Sequence, residues 1–144
     1  MLVSEILRIK GNALFTTAPD SPVLDAVKVM AQHDIGSLVV MDHGRMAGIV
    51  TFAEVLRALA DRGGTLGDVK ISAVTERSPL TANPHIDVNE LRRTMLERHA
   101  RYVPVLDDGM LLGVVSFHDV AKAVLEEQSF ENRMLKSYIA DTKA

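Results

Sequence analysis

The sequence predicts a mixed α/β (α+β) fold: two copies of one β-α-β-β-α unit packed as a pseudo-twofold pair, with an extended C-terminal helix. Three observations lead there. Sliding the chain against itself aligns residues 19–55 with 84–120 without a gap, and ten of those 37 pairs are identical. Ordinary composition would give about two or three. Each copy also passes from a helical apolar period to short apolar runs separated by Asp/Gly turns. Finally, Leu38-Val39-Val40-Met41 and Leu111-Leu112-Gly113-Val114-Val115 read as strands covered on both faces. One copy alone cannot bury that much surface, so two must pack together.

The elements follow in order. A short strand around Leu14–Thr16, or Leu80–Thr81, leads to a turn carrying Pro19 or Pro84. The next helix starts at Ser21 with Pro22 in its first position, or at Asp87 with Glu90 three residues on. It runs to about His33 or Arg98, with Val23, Ala26, Val27 and Met30 on one face of the first copy. The strand Ser37–Met41, or Tyr102–Leu106, reaches the turn Asp42-His43-Gly44, or Asp107-Asp108-Gly109. There the chain reverses into Met46–Val50 or Leu111–Val115. A second helix begins at Thr51 or Ser116, and Arg62-Gly63-Gly64 ends the first of these. The resulting division is a first unit at 8–62, a linker at 63–78, a second unit at 79–128, and a helical extension and tail at 129–144. From Phe117 to Ile139 there is no Pro or Gly, and Val120, Val124, Phe130, Met134, Leu135, Tyr138 and Ile139 recur at helical spacing. That stripe reads equally as an intersubunit contact or as packing back on its own body.

Composition narrows the function. Apolar residues make up 47% and aromatics only 4%, so the core is aliphatic. The absence of cysteine removes disulfides, thiolate metal sites and cysteine nucleophiles together, and fits a reducing, cytoplasmic setting. No apolar run is long enough to span a bilayer, and Met1–Leu14 lacks the uninterrupted stretch of a signal peptide. A net charge of −3 argues against a dedicated nucleic-acid binder. The five histidines, His33, His43, His85, His99 and His118, never fall at metal-ligand spacing, and no catalytic cofactor is expected. Ser116, His99 and Asp119 lack the strand-turn context of a nucleophile elbow, so a hydrolytic triad is set aside.

Two segments carry a family likeness. Gly48-Ile49-Val50-Thr51-Phe52-Ala53-Glu54 and Gly113-Val114-Val115-Ser116-Phe117-His118-Asp119 resemble the Gly-h-h-Ser/Thr-x-x-Asp signature of CBS domains. Tyr102-Val103-Pro104-Val105-Leu106-Asp107-Asp108-Gly109 is similar to the stretch that precedes it. The likeness spans about residues 8–127 in two full copies, as in a tandem CBS pair (a Bateman module) of the small stand-alone bacterial kind. It implies a non-enzymatic regulatory module that binds an adenosyl ligand between the units: AMP, ADP or ATP, with NAD(P) or S-adenosylmethionine also in the family's range. It further implies a homodimer read by a downstream protein partner.

By the same resemblance, the main site joins Ser116, His118 and Asp119 to an adenine pocket from Lys10 to Phe15 and Ile35-Gly36-Ser37, with Arg101 and Tyr102 beside the phosphates. A second site would use Thr51 and Glu54, with Thr75, Leu80 and Ala100 around the base. Glu54 stands where the family carries Asp, and the longer side chain weakens that site. The residues admit these roles on physical grounds. A helix start favours a phosphate, a carboxylate one turn on can accept from ribose hydroxyls, and a guanidinium pairs with phosphate oxygens. Ser/Thr-x-x-Asp/Glu is equally a capping box that needs no ligand, and Arg101 reads equally as a solvated loop charge. The alternative function is a structural dimerisation module with vestigial sites.

Overall fold

The computed structural model describes residues 1–11 and 13–142. Helix α1 (Val3–Lys10) comes first, ahead of β1 (Thr16–Thr17), α2 (Val23–His33), β2 (Ser37–Asp42), β3 (Arg45–Thr51) and α3 (Phe52–Asp61). A single 3-10 turn at Ile71–Ala73 precedes α4 (Val88–Arg98), β4 (Tyr102–Asp107), β5 (Met110–Ser116) and α5 (Phe117–Thr142). The predicted duplication is realised as two matching halves. The hairpins β2–β3 and β4–β5 share one antiparallel register, Val40 facing Gly48 and Val105 facing Gly113, with a bulge just after each pair. Both hairpins turn through two residues with positive φ, His43-Gly44 and Asp108-Gly109. This is the turn whose twist suits an antiparallel pair.

Several boundaries differ from expectation. The first strand is Thr16–Thr17, paired in parallel with β2, rather than Leu14–Thr16. Its counterpart at Leu80–Thr81 shrinks to a one-residue bridge, Ala82 against Val105. Pro22 is the cap of α2 rather than its first residue. It sits instead in a bridge to Lys70, so tertiary pairing takes the place of a Ser21 cap. The run in β5 is not covered on both faces: Gly113 and Val115 are buried, whereas Leu112 is 43% exposed. On α5 the stripe divides: Val120 and Val124 pack back on the second half, whereas Phe130, Met134, Leu135 and Tyr138 are all more than half exposed.

The unforeseen element is α1, and its packing explains why the halves depend on each other. Val3 and Ile6 lie in the core of the second half, with Val88, Leu91, Met95 and Val115. Val69 and Ile71, from the expected linker, lie in the core of the first half, with Val23, Met30 and Val50. The backbone bonds match pair by pair: Val3 N–H to the Ile86 carbonyl as Ile71 N–H to the Ser21 carbonyl, at 3.0 and 2.8 Å. Likewise Val88 N–H donates to the Met1 carbonyl as Val23 N–H does to the Val69 carbonyl, at 2.9 and 2.8 Å. Each half is therefore closed by the segment that precedes the other. Separating the halves would strip an apolar piece from both cores.

Candidate functional site

Two clefts open between the halves, and the internal repeat relates their walls. The first, about 550 Å³, is lined by Lys10 and Ala13 to Phe15, by Asp34 to Ser37, and by Arg101, Tyr102, Val114 and Ser116 to His118. The second, about 670 Å³, is lined by Ser78 to Leu80, His99 to Tyr102 and Thr51 to Glu54, among others. Nine of the ten residues expected at the main site thus line one cleft: Lys10, Phe15, Ile35, Gly36, Ser37, Arg101, Tyr102, Ser116 and His118. Asp119 is bound directly to two of them, Lys10 and Ser116. Of the expected lead-in from Lys10 to Phe15, Asn12 lies outside the described residues.

The start of α5 builds the polar end of this cleft. Ser116 N–H donates to Asp119 Oδ2 at 2.9 Å, and Asp119 N–H donates back to Ser116 Oγ at 3.1 Å. The capping reading is therefore correct, and it leaves room for a ligand. Ser116 Oγ accepts in the cap, so its own proton is uncommitted among the described residues. Lys10 Nζ, on the last residue of α1, reaches Asp119 Oδ2 at 2.7 Å and the Val114 carbonyl at 2.9 Å. Both partners fall on one carboxylate oxygen, and Oδ1 has no partner among the described residues. Burial works to raise the Asp119 pKa, but the Lys10 and Ser116 hydrogen bonds and the Lys10 charge outweigh it and hold the group below the ordinary carboxyl value. Sequence reading put Lys10 beside the base, whereas the structure seats it on the acid. The signal was the missed helix α1, which ends there.

The opposite cleft is closed on itself. Thr51 N–H and the Thr51 hydroxyl both donate to Glu54 Oε1, at 2.9 and 3.0 Å, and Arg57 stands 3.6 Å from Oε2. Both acids fold back to accept the N–H of the capping residue, but the longer Glu54 also takes the hydroxyl proton that Ser116 keeps. Thr51, Glu54, Leu80 and Ala100 line this cleft. Thr75 does not: its hydroxyl donates to the Ile71 carbonyl at 2.7 Å, and its methyl packs against Gly48. Arg101 and Tyr102 line both clefts, so one short segment is a wall common to the two.

A duplicated β-α-β-β-α pair with a cleft on each side, one helix start at the edge of each, defines a tandem two-unit architecture. The chain belongs to the CBS-domain family, whose model matches residues 3–61 and 71–126. It is similar to the CBS domain-containing protein CBSX3, mitochondrial, of Arabidopsis thaliana, with 34% identity over 95% of this chain and 71% of that protein. Among solved structures it resembles a protein with CBS domains from Burkholderia ambifaria, at 30% identity and a TM-score of 0.82, covering 89% of this chain and 96% of the other. It also resembles the CBS domain pair of protein MJ0100, solved in complex with 5′-methylthioadenosine and S-adenosylmethionine, at 26% identity and a TM-score of 0.77, covering 88% and 98%.

Proposed function

We propose that the protein is a non-enzymatic regulatory module that binds an adenine nucleotide, AMP or a longer relative such as ATP or NAD(P), in the cleft between Lys10 and Ser116. The observation that carries this reading is the pairing of an uncommitted Ser116 hydroxyl with an open Asp119 oxygen beside an apolar pocket. The hydroxyl serves a phosphate, the acid serves the ribose diol, and Phe15, Ile35 and Gly36 receive the base. The adenosyl ligands of the MJ0100 pair support the same chemistry. Thr51 and Glu54 form the weaker site, because their polar atoms already satisfy one another.

Signalling follows from the reciprocal packing of the halves. A ligand that touches both shifts their relative setting, provided that it binds one setting better than the other. A homodimer reports that shift to a protein partner in the cytoplasm; exposed Leu56, Leu96 and Phe130 support an apolar contact between copies. Thermal unfolding in the presence of AMP, ATP, NAD(H) and S-adenosylmethionine tests this. Ligand at a hundred times its Kd stabilises by about 2.7 kcal/mol. A shift with none of them would favour a structural module with vestigial sites.

A further inference from the structure

We infer that Lys10 sets the charge class of the ligand: the cleft takes an adenosyl group that carries an anion and refuses one that carries a cation. This rests on the adenosyl reading above and narrows it. Lys10 is tethered at two points, to Asp119 Oδ2 at 2.7 Å and to the Val114 carbonyl at 2.9 Å. An ammonium has three N–H groups, so one is left uncommitted among the described residues, on a side chain 39% exposed in the cleft wall.

The charges around the cleft are Lys10 and Arg101 against Asp34 and Asp119, with His118 beside them. Without Lys10 the ribose seat would be a bare carboxylate, which repels a phosphate on the same sugar and attracts a sulfonium. With Lys10 in contact that charge is cancelled, yet Oδ1 still accepts a hydroxyl. The seat becomes an uncharged acceptor beside a cation. The opposite cleft is built differently: its acid, Glu54, is faced by Arg57 from its own helix at 3.6 Å, and Arg98 and Arg101 also line its wall.

Calorimetric titration of the full chain with AMP, uncharged 5′-methylthioadenosine and cationic S-adenosylmethionine tests the inference. The wild type is expected to bind AMP about tenfold tighter than the thioether, with the sulfonium weakest. Lys10→Met should lose about tenfold on AMP, leave the thioether within about threefold and improve the sulfonium, while Lys10→Arg keeps the wild-type order. In the wild type alone, added salt should weaken AMP and leave the thioether unchanged. Equal affinities for all three ligands, or an equal loss of all three in Lys10→Met, would overturn charge selection and leave the adenosyl site standing. Binding of none of the three would overturn both.

Discussion

The Tyr102 ring lies so close over Gly36 that a single added carbon on the glycine would overlap its hydroxyl oxygen. The same carbon would stand 2.8 Å from the Phe52 ring. Gly36 belongs to the wall of one cleft and Phe52 to the wall of the other, and Tyr102 lines both. A phenol ring is thus the partition between the two sites, and a missing side chain makes room for it.

Gly36→Ala should push that partition aside. Gly36 has no positive φ, so the cost is steric and falls on a side chain able to swing. Stability should drop by about 1 kcal/mol, the lower end for overpacking. AMP affinity should fall about tenfold, because the added carbon enters the base pocket and displaces the Tyr102 wall. Paired chemical denaturation and calorimetry check both numbers.

Gly48 and Gly113 are repeat partners with different surroundings, and alanine should separate them. A carbon on Gly48 meets the Glu76 backbone carbonyl, which accepts the Ile49 N–H and cannot retreat. On Gly113 it meets the tip of Leu7 at 2.9 Å. Gly48→Ala should cost about 3 kcal/mol and Gly113→Ala about 1 kcal/mol. Urea unfolding midpoints for the two variants measure the difference.

Asp119 carries two roles that substitution can divide. Asp119→Ala removes a capping acceptor from α5, which should cost about 1 kcal/mol, and should abolish ribose-dependent AMP binding while leaving the oligomeric state intact. Its folded pKa lies below the ordinary carboxyl value. The stabilisation is therefore full at pH above the unfolded pKa and lost as pH falls through the depressed folded one. Asp119→Asn should therefore trail the wild type most at neutral pH and converge on it in acid. Melting curves from neutral to acid pH check the direction.

The tail of α5 should be dispensable for the fold. Val120 and Ala123 are buried, whereas Phe130, Met134, Leu135 and Tyr138 are exposed. Removing residues 129–144 should change unfolding stability by under about 1 kcal/mol. In the proposed homodimer the truncation should instead weaken self-association, as sedimentation measures.

Repetition made most of this architecture legible. One constant offset between the copies located the hairpins and the helix starts, because each of these obeys local rules that act twice, whereas the clefts were expected only from the family likeness. What escaped is non-local. Val3 and Ile6 look like a short amphipathic lead, and nothing local says that they complete the distant core around Leu91 and Val103. The linker hid Val69 and Ile71 for the same reason. At the site, Ser116 and Asp119 were readable as both cap and ligand group. That Lys10 occupies the acid depended on a helix with no counterpart in the repeat signal. Glu54 was flagged by its extra methylene, and Thr75 was misplaced because its backbone partner lies in the unforeseen 3-10 turn.

The most direct measurement is a titration of AMP into isotope-labelled protein, followed by amide chemical shifts. Shifts gathered at Lys10, Ile35 to Ser37, Arg101, Tyr102 and Ser116 to Asp119, with smaller changes at Thr51 and Glu54, are the predicted result. A spectrum unmoved by millimolar AMP, or one whose changes gather on a face remote from Ser116, would contradict the account.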